Sequence, residues 1–346
     1  MHIHFIGVGG TAMGSVAVAC RTQGHTVTGS DGPLYPPMST VLDEAGITRY
    51  EGYDAERLRA DAPDLVVVGN AISRGNPELE FLLDERWPMT SMAELVGRLF
   101  ISRNTSIVCC GTHGKTTTAS ITSWLLEHAE RQPGFLIGGV PGNFTQGCRP
   151  VPEGIHDTRA GVFVSEGDEY DTAFFDKRSK FIHYRPTVAI INNLEFDHAD
   201  IFDSTEAIIR SFRHLVRLVP RSGVVLVNAD DPNARAAAEN APCPVESLGR
   251  ADDATWRMTD ITEDGTNTTW TLLRHGAVYG RFTLPMPGEH NIRNASMAVA
   301  ATAHTGLSAE EQAAAMPLFL PPKRRLEEIG TWNGGTVIDD FAHHPT

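Results

Sequence analysis

An α/β fold built on parallel sheets is predicted for this chain of 346 residues. Three observations predict it. Short apolar runs alternate with amphipathic helical stretches, the pattern of parallel strands joined by crossover helices. Two glycine-rich turns, at Gly7–Gly14 and Gly111–Gly114, each sit between an apolar run and a helical pattern, where such sheets meet phosphate. The length exceeds one ordinary core and points to two or three domains.

In chain order, His2–Ile6 reads as a strand, Thr11–Gln23 as a helix, and Thr26–Gly29 and Leu65–Val68 as further strands. Gly7-Val8-Gly9-Gly10-Thr11-Ala12-Met13-Gly14 satisfies GxGxxA between that strand and that helix. Asp31 follows about 20 residues on, where a ribose-binding acid stands in a dinucleotide fold. This unit is Rossmann-like. Its loop reports a backbone close to a diphosphate, so NAD, FAD and a UDP-sugar all remain open. Periodicity fades around Arg98–Thr105, which places the first boundary there and gives a unit of residues 1–103.

The second unit, 104–322, opens on the apolar run Ser106–Cys110, then Gly111-Thr112-His113-Gly114-Lys115-Thr116-Thr117-Thr118, then a helical pattern from Ala119 to Glu130. A helix N-terminus offers unpaired N–H donors and a positive dipole end. Gly111 and Gly114 let the backbone approach phosphates, Lys115 can reach the β- and γ-oxygens, and the Thr116 hydroxyl can ligate Mg²⁺. Cys109 stands where the strict motif has its first Gly, so a plain tight turn is the bland alternative. Strands are expected at Gly161–Ser165, Thr187–Asn192 and Val224–Asn228, and helices at Thr205–Val219 and Asn291–His304. Thr255–Leu273 alternates polar and β-branched residues and reads as a small antiparallel insertion.

Two strand ends in this unit carry acidic clusters. In Ser165-Glu166-Gly167-Asp168-Glu169-Tyr170-Asp171, Glu166 comes first after the strand and can meet a metal beside the Lys115 loop. Asn192-Asn193-Leu194-Glu195-Phe196-Asp197-His198-Ala199-Asp200 repeats the arrangement, and His198 among carboxylates could complete a Mg²⁺ site. In isolation these would be a solvated acidic turn and a surface histidine. Before the last helix, His290 and Asn291 are either caps or contacts to adenine or ribose.

Pro321-Pro322 breaks the chain, and Lys323–Glu328 reads as a hinge. There Arg325 belongs either to a solvated basic turn or to a group that reaches a γ-phosphate. Thr336–Phe341 reads as a lone strand, which cannot build a domain. Residues 323–346 are therefore expected to be the hinge and first strand of a C-terminal domain that is largely absent.

Composition narrows the function classes. Hydrophobic content of 41% with 21% charged residues suits a soluble globular protein, and no apolar stretch approaches a membrane span. The start lacks a basic region and cleavage site of a signal peptide. The five cysteines form no CxxC pair, which fits a reduced cytoplasmic compartment. A formal charge of −14 argues against a general nucleic-acid binder. An anionic nucleotide must then be met by local positive groups and Mg²⁺. Small-molecule substrates are expected, with no nucleic acid, membrane or obligate protein partner.

Together GVGGTAMG, GTHGKTTT, SEGDEYD, NNLEFDHAD, GEHNIRNA, KRRLE and DDFAHHPT resemble, in order and over essentially the whole chain, the Mur ligases. These are ATP-dependent amide-forming enzymes of peptidoglycan assembly. The resemblance implies a UDP-sugar-binding first domain and a P-loop-type central ATPase domain with a mainly parallel sheet. It implies that Gly111, Thr112, His113, Gly114, Lys115, Thr116 and Thr117 cradle ATP, and that Thr116 and Glu166 hold Mg²⁺. His198 would serve a second Mg²⁺, which makes Lys115, Glu166 and His198 the candidate catalytic residues. His290 and Asn291 would approach the adenosine, Arg325 the γ-phosphate and Asp340 the ribose. Gly7, Gly9, Gly10, Thr11, Ala12, Met13, Asp31 and Asn70 would hold the UDP-sugar.

Two branches of the family join an amino compound to UDP-N-acetylmuramate. One uses L-Ala, and the other reattaches the recycled tripeptide L-Ala-γ-D-Glu-meso-diaminopimelate. Tyr35–Thr40, Gly69-Asn70-Ala71 and Asp171–Phe181 look like the peptide branch. Several relatives carry a carbamylated Lys after the DH motif, but Asp200–Ser222 contains no Lys, which agrees with the muramate-binding branches. The family's C-terminal domain binds the incoming amine, so little or no ligation is expected from a chain ending at Thr346. The competing readings are a nicotinamide dehydrogenase and a non-catalytic UDP-sugar-binding module. The first leaves the Lys115 loop and both acidic clusters unexplained.

Overall fold

The structure is a computed structural model that describes residues 1–155, 161–195, 202–322 and 327–339. Its first sheet is parallel throughout, in the order Thr48–Glu51, Thr26–Asp31, His2–Ile6, Leu65–Val68, Met89–Ser91. Strand order reverses between His2–Ile6 and Leu65–Val68, and a doubly wound sheet opens a ligand crevice at that point. The glycine loop after Ile6 and the Gly69-Asn70 turn after Val68 both border it, tied by Gly69 N–H donating to Ile6 O at 2.9 Å.

Both faces of this sheet are covered, as a parallel sheet requires. Ile3, Phe5 and Val67 pack with Val16, Ala17 and Cys20 of the helix Thr11–Thr22. Ile6, Val66 and Val68 pack with Leu79 and Leu82 of Pro77–Asp84. That second face also buries charge. Glu78 is fully buried and accepts from the Ser30 hydroxyl and from Asp54 N–H at 3.1 Å. His4 Nε2 lies 3.8 Å and Arg57 Nη2 3.4 Å from its carboxylate.

The sequence reading passed over the helices Met38–Glu44, Ala55–Asp61, Pro77–Asp84 and Met92–Val96. Two of them announce themselves. Asp54 accepts from Glu56 N–H at 3.0 Å, and Asn76 accepts from Glu78 N–H at 3.0 Å with Pro77 in the first turn. These are N-cap signatures. The stretch where periodicity fades is itself helical over Gly97–Ile101. Leu95, Val96, Phe100 and Ile101 share one core with Phe5 and with Phe163 and Phe181, so apolar packing runs unbroken from the first sheet to the second.

The second sheet has ten strands, in the order Ala277–Leu284, Thr268–Arg274, Trp256–Glu263, Val245–Gly249, Val224–Asn228, Val188–Ile191, Thr105–Cys110, Val162–Gly167, Gly134–Leu136, Cys148–Arg149. Thr105–Cys110 runs parallel to both its neighbours, pairing Cys110 with Gly167 on one side and with Ile191 on the other. Three carboxyl ends therefore finish side by side. Lys115–His128 and Glu289–Ala303 share the core on one face, with buried Ala295, Ala298 and Ala301 allowing close approach.

Two expectations need correction. The segment read as a small insertion is a run of three antiparallel strands reaching Leu284 and continuous with the main sheet. The strand read as lone, described as Gly335–Asp339, pairs antiparallel with Glu327–Trp332, whose first residues were read as hinge. The turn between them, Asn333-Gly334, holds both residues at positive φ, and Asn-Gly is the strongest short hairpin signal.

Candidate active site

The loop after Thr105–Cys110 turns through Gly111 at φ +135° and Gly114 at φ +81°, and the helix starts at Lys115. Gly114 is its N-cap without a side-chain bond, so no cap uses the first-turn N–H groups that suit an anion. Both glycines are required by space as well as by φ. A Cβ on Gly114 would collide with Asn294 Oδ1, and one on Gly111 would come within 3.1 Å of Asn192 and Asn193.

The end of Val188–Ile191 braces this loop. Thr112 N–H donates to Asn193 O at 3.0 Å, and His113 N–H donates to Asn193 Oδ1 at 2.8 Å. Glu195 N–H donates to Thr112 Oγ1 at 3.0 Å. Buried Asn192 donates through Nδ2 to Thr118 Oγ1 at 2.9 Å and to Asn294 Oδ1 at 3.3 Å. Asn192, Asn193 and Asn294 are the supports to which sequence reasoning gave no role. Adjacent amides at a strand end beside a phosphate loop were the only signal for Asn192 and Asn193, and Asn294, inside the helix Glu289–Ala303, gave none.

On the other side stands Glu166. It lies within the strand Val162–Gly167 and pairs with Cys109 rather than coming first after the strand, because the parallel ladder runs on to Gly167. Its Oε2 accepts from the Thr116 hydroxyl at 3.1 Å, and its Oε1 accepts from Gly138 N–H at 2.7 Å. Burial raises its pKa, and Gly138, Lys115 and Thr116 offset only part of that. A hydroxyl and a carboxylate that converge at a helix N-terminus form an all-oxygen donor pair, the chemistry Mg²⁺ prefers. Among the described residues no group of three or more His, Cys, Asp or Glu is placed to hold a metal. His198 lies outside the described residues.

Lys115 Nζ donates to Gly111 O at 2.8 Å, with Thr112 O at 3.4 Å, and to both oxygens of Glu169 at 3.0 and 2.9 Å. Burial alone would lower the ammonium's pKa, but Glu169, Asp168 and Glu166 outweigh it and hold Lys115 above its ordinary value. Thr117 is buried in the same first turn. His290 is exposed and Asn291 buried at the start of Glu289–Ala303. Neither caps that helix. The cap is Gly288, and Asn291 Nδ2 donates to Pro287 O at 2.7 Å. Arg325 and Asp340 lie outside the described residues.

The first glycine loop is held from below. Gly7, at φ +85°, and Val8 both donate N–H groups to Ser30 O, at 2.8 and 3.2 Å. Asp31 accepts from Gly9 N–H at 2.7 Å, from Gly32 N–H at 2.8 Å and from the Tyr53 hydroxyl at 3.3 Å. Its carboxylate thus braces the loop. Tyr53, missed in the sequence, has its pKa pushed up to about 12 by burial and then by Asp31. Gly10 caps the helix Thr11–Thr22 without a side-chain bond, Thr11 is exposed, Ala12 is half-buried and Met13 is buried beneath the turn. Asn70 is exposed on the facing turn.

Residues 2–103 match the family described as Mur ligase family, catalytic domain, and residues 109–302 match the Mur ligase middle domain. The UDP-N-acetylmuramate–L-alanyl-gamma-D-glutamyl-meso-2,6-diaminoheptandioate ligase of Escherichia coli (strain K12) is 44% identical over 346 residues, 100% of this chain and 73% of that protein. A UDP-N-acetylmuramate–L-alanine ligase of Arthrobacter sp. (strain FB24) is 36% identical over 99% of this chain and 70% of its own length. The crystal structure of the UDP-N-acetylmuramate:L-alanyl-gamma-D-glutamyl-meso-diaminopimelate ligase from Neisseria meningitides superimposes with a TM-score of 0.86 at 41% identity, covering 93% of this chain and 99% of that one. On the fold, the two glycine loops and these matches, the chain belongs to the Mur ligase family.

Proposed function

We propose that this chain is the ligase that uses ATP to join L-Ala-γ-D-Glu-meso-diaminopimelate to the lactyl carboxylate of UDP-N-acetylmuramate. One observation carries the reading. Two phosphate-type glycine turns stand on two sheets of one chain, and only the second has a lysine, a hydroxyl and a carboxylate at adjacent strand ends. A dehydrogenase needs the first turn and leaves the second idle. A ligase with a nucleotide-sugar and a nucleotide triphosphate as substrates uses both. The tripeptide rather than L-Ala is supported by the higher identity to the tripeptide ligase, 44% against 36%.

In this reading Gly111–Thr117 cradle the ATP phosphates, with Lys115 against the β- and γ-oxygens. His290 and Asn291 approach the adenosine, Arg325 the γ-phosphate and Asp340 the ribose. Gly7, Gly9, Gly10, Thr11, Ala12 and Met13 present the first helix N-terminus to the UDP diphosphate, with Asp31 and Asn70 alongside. Thr116 and Glu166, with His198, would hold Mg²⁺, which when bound neutralises charge on the phosphates. A lactyl carboxylate oxygen attacks the γ-phosphorus and ADP leaves. The neutral tripeptide amine then attacks the acyl carbon, the tetrahedral intermediate expels phosphate, and the amine's surplus proton passes to solvent. The chain's contribution is positioning and a fixed ammonium beside the developing charge. The five free cysteines support a reducing, cytoplasmic setting for this reaction.

The test is ATP-dependent ligation by a form extended past Thr346, with L-Ala and the tripeptide offered in turn. Tripeptide product in at least about tenfold excess is expected, the discrimination that about 1.4 kcal/mol provides. Preferential ligation of L-Ala would overturn the assignment.

A further inference from the structure

The Lys115 ammonium is fully occupied by oxygens of the chain itself. Its three protons face Gly111 O and the two oxygens of Glu169, which is only 4% exposed. The neighbouring acids have other partners, Glu166 with Thr116 and Gly138, and Asp168 with Lys180 at 2.5 Å. Carboxylate and phosphate oxygens make the same kind of short charge-assisted bond to an ammonium. An anion at this loop therefore meets Lys115 already bonded, in both positions, by oxygens of the kind it would itself supply.

We infer that Glu169 is a placeholder for phosphate. It holds Lys115 charged and aimed along the loop in the nucleotide-free chain, and it gives the ammonium up as the triphosphate seats. Apparent affinity is then set by the difference between two ion pairs, because a competing bonded state reduces affinity by the fraction of chains it occupies. Glu169 so acts as a positioning residue, and it disfavours small anions that bring too few contacts to displace it. The inference rests on reading the Lys115 loop as the ATP site.

Calorimetric titration of wild type, Glu169→Gln and Glu169→Asp tests it. Glu169→Gln keeps the shape and removes the competing charge, so Mg·ATP and pyrophosphate should each bind about tenfold more tightly, the scale of one charge-assisted bond. Adenosine, which lacks phosphate, should bind equally to both. A purely structural strut gives the opposite sign, since its loss loosens the loop. Unchanged or weaker Mg·ATP binding by a cooperatively melting Glu169→Gln chain overturns the inference. Glu169→Asp, shorter but charged, should fall between the two. If Glu169→Gln does not fold, tightening in Glu169→Asp alone supports the placeholder and its absence refutes it. Wild type that binds no Mg·ATP overturns the nucleotide reading, and the placeholder with it.

Discussion

Replacing Lys115 with Ala should lower Mg·ATP affinity by roughly thirty-fold to several thousand-fold, the effect of about 2–5 kcal/mol for truncating one partner of a desolvated charge pair. The side chain is the one described ammonium bonded to the loop's own carbonyls. Its removal also leaves Glu169, nearly fully buried, without its ammonium partner, which costs stability because an uncompensated buried charge remains. Adding Glu169→Gln to Lys115→Ala should recover much of the melting temperature without restoring ATP binding. Calorimetry and thermal melts on the two variants separate the roles. A Lys115→Ala chain that binds Mg·ATP normally would show that the loop is only a turn.

Glu78→Ala should destabilise the chain by roughly 3–5 kcal/mol, the usual effect of deleting one member of a buried charged network. Glu78 is fully buried between Ser30, Asp54 N–H, Arg57 and His4, and His4 Nδ1 lies 2.8 Å from Thr28 Oγ1. Without the carboxylate, the Ser30 hydroxyl loses its acceptor and His4 and Arg57 lose a nearby carboxylate in a dry face of the sheet. Ser30 O is the acceptor for Gly7 and Val8, so the loss reaches the first glycine loop. Burial alone would raise the Glu78 pKa, but bonds from His4, Ser30 and Asp54 together hold it below its ordinary 4.5. A depressed carboxyl adds stability above the unfolded value and loses it as pH falls through the folded one. Urea melts should show the gap between wild type and Glu78→Gln full at neutral pH and shrinking below about pH 4.5. A constant gap down to acid pH would mean that Glu78 is not the ionised centre of the network.

The parallel framework was legible because its signals are local. His2–Ile6, Leu65–Val68 and Val224–Asn228 are apolar runs bounded by turn residues, and the structure gives them the same limits. The helices around Asp54 and Asn76 were missed because they are short, and their caps carry more information than their periodicity. The C-terminal hairpin was missed because reading Thr336–Phe341 as a lone strand overlooked the turn signal Asn333-Gly334 just before it. At the site, Lys115, Thr116 and Glu166 were legible because a phosphate loop and a strand-end acid follow from sequence spacing. Asn192, Asn294, Tyr53 and Glu169 were not, because their roles come from pairing between strands and helices far apart in the chain. Asp31 was expected as a ligand contact, and the structure adds that its carboxylate accepts from Gly9 N–H within the loop.

The most direct measurement is a crossed calorimetric titration of Mg·ATP and UDP-N-acetylmuramate into wild type, Lys115→Ala and Gly9→Val. A Cβ on Gly9 would strike Leu34 and come within 2.9 Å of Asp31 Oδ2, so Val there displaces the brace under the first loop. Wild type should bind both ligands, Lys115→Ala only UDP-N-acetylmuramate, and Gly9→Val only Mg·ATP. If either substitution abolishes both ligands in a folded chain, or if Gly9→Val leaves UDP-N-acetylmuramate binding intact, the two-loop, two-nucleotide assignment is wrong.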